Sequence, residues 1–326
     1  MKVLHVAAGL STEERPHYQP FIKTQIESLR REGIDCGVYD IKSYISKLEY
    51  FKSITMIRNK IKTENYDLVH AHYSYCGISA YFSAGNKPII LSLMGSDLLG
   101  TPNTHGDLTF RGKIDKLISS SIAKKMSHLI VKSEQKKKLL HVQVPISVIP
   151  NGIDFNVFKP LERIALREKL GFEINDFIVL FLGSQKQPVK NFNLTRKAVE
   201  IFKKECDSIK LITPFGISQQ QVIEYMNASD VLMMTSFWEG SPNVIKEAMA
   251  CNLPIISTNV GDVKEVIKDA QNCFVVEFSE DEIVKRLKII YERKSRSDGR
   301  EKISHLSNKV IAQRIIEIYK SSLSPS

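Results

Sequence analysis

The sequence predicts two α/β domains, each a parallel sheet with helices on both faces. Short, nearly continuous apolar runs alternate with helical stretches of about ten residues or more, the pattern of strands buried on both sides. That series stops near residue 150 and restarts after Pro160. The 326 residues, 43% apolar and 25% charged, are enough for two cores of about 150 residues each.

The first series opens with a strand over Lys2–Ala8, ending at Gly9. A helix over Phe21–Arg31 is stopped by Gly33, and a strand follows at Cys36–Tyr39. Further strands are predicted at Asp67–Ala71, Pro88–Leu93, His128–Val131 and Ile146–Ile149, the last running into the turn Pro150-Asn151-Gly152. The second series places strands at Phe177–Leu182, Ile209–Thr213, Val231–Thr235, Pro254–Ser257 and Cys273–Val276. Helices are predicted over Phe192–Lys204, Ser279–Arg293 and Ser304–Leu323. The parse is a first domain over residues 1–158, a second over 159–303, and a final helix, 304–326, returning to the first.

Composition narrows the function classes. No apolar stretch reaches the ~18 residues of a membrane span, and the acidic and basic residues Glu13, Glu14 and Arg15 follow a first run too short for a signal peptide. Five scattered cysteines without a Cys-x-x-Cys pair suggest reduced thiols, not a zinc site or disulfide framework. A cytoplasmic protein is expected. Net charge is +10, and residues 1–155 carry 21 Lys and Arg against 14 Asp and Glu. Such a half attracts anionic substrates, nucleic acid or an anionic membrane surface, or is merely solvated.

In open α/β sheets, ligands sit beyond the carboxyl ends of the strands. The most informative such loop follows the strand at 231–235. There Ser241 is suited to cap a helix and Pro242 to begin one. The leading amides of Asn243, Val244 and Ile245 would then present a positive helix end to a phosphate. Glu239 precedes that helix and Glu247 lies nearly two turns along it. Taken alone, Glu239 also suits a helix-end charge and Glu247 a surface ion pair.

Residues 236–267, SFWEGSPNVIKEAMACNLPIISTNVGDVKEVI, resemble the donor-binding segment of retaining glycosyltransferase family 4, with its paired glutamates at Glu239 and Glu247. VIPNGIDFNVFKP (148–160) resembles the family's interdomain connector and FLGSQKQPVKN (181–191) its phosphate-binding loop. DLVHAHY (67–73) and LSLMGSDLLG (91–100) resemble loops of its first domain. The likeness covers most of residues 67–267. It implies the GT-B fold, two Rossmann-like domains facing across a cleft that closes over the donor, with the acceptor bound by the first domain, 1–158, and the nucleotide-sugar donor by the second, 159–303.

It also implies residue roles. Glu247 would hold the nucleotide's ribose and Glu239 would contact the transferred sugar as a catalytic residue, with Gly240 in the same donor loop. Lys190 would neutralise the diphosphate. The family's arginine after the strand-end glycine is Ser184 here, so Lys186 is the candidate for the missing charge. A family Gly-Gly pair is represented by Gly9 followed by Leu10, and a family histidine by Met94, which cannot donate a hydrogen bond to a sugar hydroxyl. Either His72 or His105 approaches the sugar instead, or the acceptor differs. Asp97 suits acceptor hydroxyls or a turn cap. Phe215, in Pro214-Phe215-Gly216, suits a base pocket or the core.

The implied reaction moves a sugar from a UDP- or GDP-sugar to a glycan or lipid-linked acceptor, with retention, in bacterial cell-surface polysaccharide synthesis. No cofactor is implied, and no metal, since Asp-x-Asp is absent and cationic groups can stabilise the leaving diphosphate. Residues 42–62 mix Lys and Arg with Tyr, Phe, Ile and Met; they read as a solvated helix or as a contact with an anionic membrane at the inner face. The enzyme alternative is a sugar-nucleotide epimerase of the same fold. The non-enzyme alternative is a basic nucleic-acid-binding protein, although no reading motif is present and no nucleic-acid partner is expected. The fingerprint Gly-x-Gly-x-x-Gly is missing, which disfavours a nicotinamide enzyme.

Overall fold

A computed structural model of the chain describes residues 1–10, 20–94, 96–100 and 109–324. It divides into two compact units, Met1–Gly152 with Asn308–Ser326, and Ile153–Ser307.

The first unit carries strands β1 (Lys2–Ala8), β2 (Asp35–Ile41), β3 (Leu68–His72), β4 (Ile89–Ser92), β5 (His128–Val131) and β6 (Ile146–Val148). They form one parallel sheet in the order β2-β1-β3-β4-β5-β6. Both faces are covered, so Val3 and Leu4, which point to opposite sides, are both wholly buried. Helix Glu49–Glu64 turns Tyr50, Ser53, Ile57 and Ile61 inward, the three-to-four-residue spacing of one helical face. On the other side of the sheet lie helix Pro20–Arg31 and the final helix Asn308–Leu323, which pack together. The final helix is pinned by Tyr319, whose hydroxyl lies 2.5 Å from Nδ1 of His70 in β3.

The second unit carries β7 (Phe177–Leu180), β8 (Ile209–Ile212), β9 (Val231–Met234), β10 (Ile255–Thr258) and β11 (Cys273–Val276), again parallel, in the order β11-β10-β9-β7-β8. Its core joins Phe177, Val179, Val231, Met233 and Ile256 to Phe202 and Leu287 from the covering helices. Each such side chain contributes about 1.5–3 kcal/mol when fully buried.

Both sheets reverse their strand order once, between β1 and β3 and between β7 and β9. At such a point the following connections leave toward opposite faces and open a crevice at the carboxyl edge.

The units divide at Gly152, earlier than a parse at residue 158. The reason is Arg300, which donates to the carbonyls of Phe155 (2.8 Å), Phe158 (2.7 Å) and Ala250 (3.0 Å) and ties residues 153–158 to the second unit. Ile153 also bridges to Ser307. The stretch predicted as one helix from Ser304 is a 3₁₀ turn, Ser304–Leu306, in the second unit, then the helix from Asn308 in the first.

Candidate functional site

The loops after β7 and β9 flank the order reversal of the second sheet, and hydrogen bonds join them. Phe237 N–H donates to the carbonyl of Val189 (2.8 Å), and Thr235 Oγ1 donates to that of Asn191 (2.9 Å). This brings Lys190, at the end of the 3₁₀ turn Pro188–Lys190, against Glu239: Nζ to Oε1 is 2.6 Å. Ser236 Oγ donates to the same carboxylate oxygen at 2.9 Å. Glu239 thus holds an ion pair and does not stand free as a helix-end charge. Beneath it, Gly261 adopts φ +61° and packs so closely that a Cβ there would lie 2.7 Å from the Gly240 carbonyl oxygen. The backbone of residues 239–240 rests on a residue that must lack a side chain.

Helix Asn243–Ala250 starts one residue later than the sequence suggests, with Pro242 as its cap. Ser241 does not cap it. Its hydroxyl donates to Asp262 Oδ2 (2.5 Å) and accepts from the ammonium of Lys246. Lys246 is 1% exposed; burial lowers its pKa, and the Asp262 carboxylate opposes that shift. Sequence reading missed this Ser241–Lys246–Asp262 lock, because a lysine within a helix signals exposure. Of the three leading amides, that of Ile245 turns back onto the Pro242 carbonyl (3.3 Å) and is not presented at the helix end. The correction follows from the later helix start.

Glu247 is partly buried, and its carboxylate accepts no hydrogen bond among the described residues. Desolvation raises its carboxyl to a pKa of about 7, opposed only by the Lys246 ammonium. Among the described residues it does not form the surface ion pair that was its alternative. An underprovided carboxylate of this kind gains by accepting hydrogen bonds from a ligand.

Ser184 and Lys186 lie in the loop after β7, where Lys186 N–H donates to Ser184 Oγ (3.3 Å) and the Lys186 side chain is exposed. Phe215, after β8, is 72% exposed, so it is not a core residue. One cavity of this unit, about 360 Å³, opens at the amino edge of the sheet. Its Arg163 and Arg167 are both engaged with Asp230, and Arg167 also donates to the carbonyls of Ala228, Ile174 and Asp176. That cavity is a structural clamp.

In the first unit Gly9 ends β1 with φ +68°, its N–H donating to the Ile41 carbonyl (3.1 Å). His72 is 1% exposed, and its Nε2 lies 3.0 Å from Nδ1 of His5. It belongs to the interior of the sheet, where an enclosed ring has no surface to offer a sugar. The reason is register: His5 sits opposite His70, and His72 shares the face of His70. Among the described residues these three histidines form the one group with metal-ligating geometry. It is buried in the first core and held by its own contacts, including His70 Nε2 to Ser92 Oγ (2.8 Å). Burial lowers all three pKa values, that of His5 to about 3. Asp97 is wholly buried and accepts from Met94 N–H (3.1 Å), the turn-capping role and not an exposed hydroxyl acceptor. His105 lies outside the described residues.

Tyr73, just after β3, was not singled out by sequence. It holds φ +85° and ψ 146°, a region that non-glycine residues avoid, at a cost of about 1–3 kcal/mol. Burial and the Asp97 and Asp115 carboxylates raise its phenol pKa.

Two family models match the chain: Glycosyltransferase Family 4 over residues 6–157 and Glycosyl transferases group 1 over residues 208–305. The UDP-Gal:alpha-D-GlcNAc-diphosphoundecaprenol alpha-1,3-galactosyltransferase of Escherichia coli is 26% identical over 272 residues, 72% of this chain and 69% of that protein. TuaC of Bacillus subtilis, named for teichuronic acid biosynthesis, is 27% identical over 228 residues, 64% of this chain and 57% of that one. The chain therefore spans just under three fifths to about two thirds of the length of these relatives. Among solved structures, Anabaena HepE in complex with UDP superposes with a TM-score of 0.72 at 17% identity, covering 98% of this chain and 100% of that one. That likeness shows the GT-B fold.

Proposed function

We propose that this chain, which belongs to the glycosyltransferases of the family 4 type, moves a sugar from a UDP- or GDP-sugar to a glycan or lipid-linked acceptor, with retention and without a metal. The observation that carries this reading is the Lys190–Glu239 pair at the order reversal of the second sheet, beside the start of helix Asn243–Ala250.

Breaking the bond from an anomeric carbon to a diphosphate oxygen leaves positive charge on the sugar and negative charge on the leaving group. Lys190 Nζ and the leading amides of the helix supply positive charge already in place, so no solvent has to reorganise. When the diphosphate draws on Lys190, Glu239 is left beside the developing cation. The carboxylate then stabilises charge where it appears. Glu247 accepts the ribose hydroxyls that its own surroundings do not provide. Lys186 adds an exposed positive charge, and Phe215 an exposed ring for the base. In retention, the leaving oxygen takes the acceptor proton on the same face.

The names of the relatives support a nucleotide donor and a role in bacterial surface polysaccharide: one uses UDP-Gal and a diphosphoundecaprenol-linked acceptor. No helix among the described residues is long and apolar enough to cross a membrane. Instead, Tyr44, Ile45, Leu48, Phe51 and Met56 are exposed among Lys42, Lys47, Lys52 and Arg58. This composition suits the anionic inner face of a cell membrane, and we place the enzyme there.

The test is a titration with UDP, GDP and ADP, read by thermal shift and by fluorescence of Trp238, the only tryptophan and the neighbour of Glu239. UDP or GDP should raise the melting midpoint and change the fluorescence, and Glu247→Ala should abolish both effects. A sugar nucleotide epimerised with no acceptor present would overturn transfer in favour of epimerisation.

A further inference from the structure

The loop at residues 236–241 is fastened to the loop that follows β10 at three places. Thr258 Oγ1 donates to the Ser236 carbonyl (2.7 Å), Gly261 lies under Gly240, and Ser241 Oγ donates to Asp262 Oδ2 (2.5 Å). The third tie alone involves charge. Lys246, on helix Asn243–Ala250, reaches back to Ser241 Oγ, and its ammonium stands 3.6 Å from Asp262 Oδ2.

Both charges are almost sealed from water: the Lys246 side chain is 1% exposed and that of Asp262 9%. Their match is incomplete. Asp262 Oδ1 is buried and has no hydrogen-bond partner among the described residues. A buried pair satisfied on one side gains less attraction than the solvation it loses, and an apolar pair of similar volume would hold the fold as well or better. Stability therefore does not account for a charged tie where Thr258 and Gly261 already join the same two loops.

What the charge adds is a link to Glu247. Lys246 and Glu247 are neighbours in the chain, and the Lys246 ammonium opposes the desolvation of the Glu247 carboxyl. The other charged groups on the elements packed against this helix are differently placed. Lys264 and Glu265 of helix Val263–Val266, and Glu301 and Lys302 of helix Gly299–Lys302, are exposed. Arg300 is engaged with the carbonyls of Phe155, Phe158 and Ala250. Cys251 stays a neutral thiol, its pKa pushed up to about 12 by burial. One ammonium thus meets the hydroxyl at the end of the Glu239 loop and acts on the carboxyl of Glu247.

We propose that Lys246 and Asp262 are positioning residues, a buried charge pair that joins the loop carrying Glu239 to the carboxyl of Glu247, so that a nucleotide meets the two as one unit. The inference rests on the nucleotide reading of this site proposed above, but half of its test needs no nucleotide.

The first readout is the pH at which Glu247 titrates, taken from the melting midpoint of each protein against that of its own Glu247→Gln derivative. In the natural chain it lies near pH 7. Lys246→Met removes the opposing charge and leaves Asp262 unneutralised, so the titration should move above about pH 8. Asp262→Asn leaves Glu247 as the carboxylate beside Lys246, so the titration should fall below about pH 6. Side chains that merely fill space would not move it in opposite directions. The second readout is Trp238 fluorescence with UDP or GDP at about pH 8.5, where Glu247 of the natural chain is ionised. Lys246→Met/Asp262→Leu should melt no lower than the natural chain, yet bind nucleotide about tenfold more weakly. Asp262→Asn should bind about fivefold more weakly, the loss of one hydrogen bond. Titrations that stay near pH 7 or move the same way in both single variants overturn the proposal, and so does natural nucleotide affinity in the double variant. Should the double variant fail to fold, Asp262→Asn, which keeps the shape of the side chain, decides by both readouts. Opposite displacements, together with no Trp238 response of the natural chain to any nucleotide, uphold the link between loop and carboxyl and sink the nucleotide reading instead.

Discussion

Lys190 Nζ and Glu239 Oε1 stand 2.6 Å apart, carried by loops that follow two neighbouring strands, β7 and β9. Neither side chain is more than 25% exposed, so each charge depends on the other for much of its solvation. A diphosphate entering this site has to share Lys190 with Glu239. Glu239→Gln removes the competitor, so UDP or GDP should bind as well as before or more tightly, while transfer falls about 10²–10³-fold. Lys190→Met should weaken nucleotide binding and transfer together. Trp238 titrations and initial rates separate the two effects, and full transfer by Glu239→Gln would remove Glu239 from the mechanism.

Glu247 makes a pH-dependent contribution whose sign is defined. Its folded pKa, about 7, lies above the ordinary 4.5, so the folded chain holds this proton more tightly than the unfolded chain. The associated stability is present below the unfolded value and is lost as pH rises from about 4.5 through about 7. Glu247→Gln cannot lose it. The melting midpoint of the natural chain should therefore drop relative to Glu247→Gln between about pH 5 and about pH 8. Ribose hydroxyls favour the carboxylate form, so nucleotide affinity of the natural chain should rise over the same interval. A constant difference in midpoint across the range would show that Glu247 is not desolvated.

Gly261→Ala should destabilise the second unit by about 1–3 kcal/mol, through its positive φ and the 2.7 Å approach to the Gly240 carbonyl. The same displacement should weaken UDP or GDP binding, because residues 239–240 rest on Gly261. Urea unfolding and a Trp238 titration measure the two effects.

Tyr319→Phe removes the partner of buried His70 Nδ1 without changing the ring's volume. The expected loss is about 1–3 kcal/mol of stability in the first unit, the cost of an unsatisfied buried group. Nucleotide binding in the second unit should not change. A variant as stable as the natural chain would show that the final helix is held by apolar packing alone.

Flotation with anionic liposomes tests the membrane surface. The natural chain should float at low salt and much less at high salt. Ile45→Ser/Leu48→Ser/Phe51→Ser should stay at the bottom in both conditions. No flotation at low salt ends the membrane placement.

Most strands were legible because β1, β5 and β11 are short, mainly apolar runs bounded by turn residues, and such runs need no knowledge of their partners. The helix that opens between Glu239 and Glu247 was legible too, since its turn chemistry lies in one local segment. Tyr73 and Asp115 were not: each is an ordinary residue in sequence, and only the arrangement of the first sheet brings them together. Asp97 and His72 misled for a related reason. Their residue types suit a site, but burial turned the first into a turn cap and the second into part of a histidine network.

What the sequence by itself determined is the succession of strands and helices, their parallel arrangement in two bodies, and the helix that begins beside Glu239. These follow from apolar periodicity and turn chemistry, which act between residues near in the chain. Only the tertiary structure decided that Lys190 meets Glu239, that Lys246 is buried against Asp262, and that the Glu247 carboxylate accepts no hydrogen bond among the described residues. Those outcomes depend on which loops a sheet's strand order brings side by side, and on how much water each charge loses there.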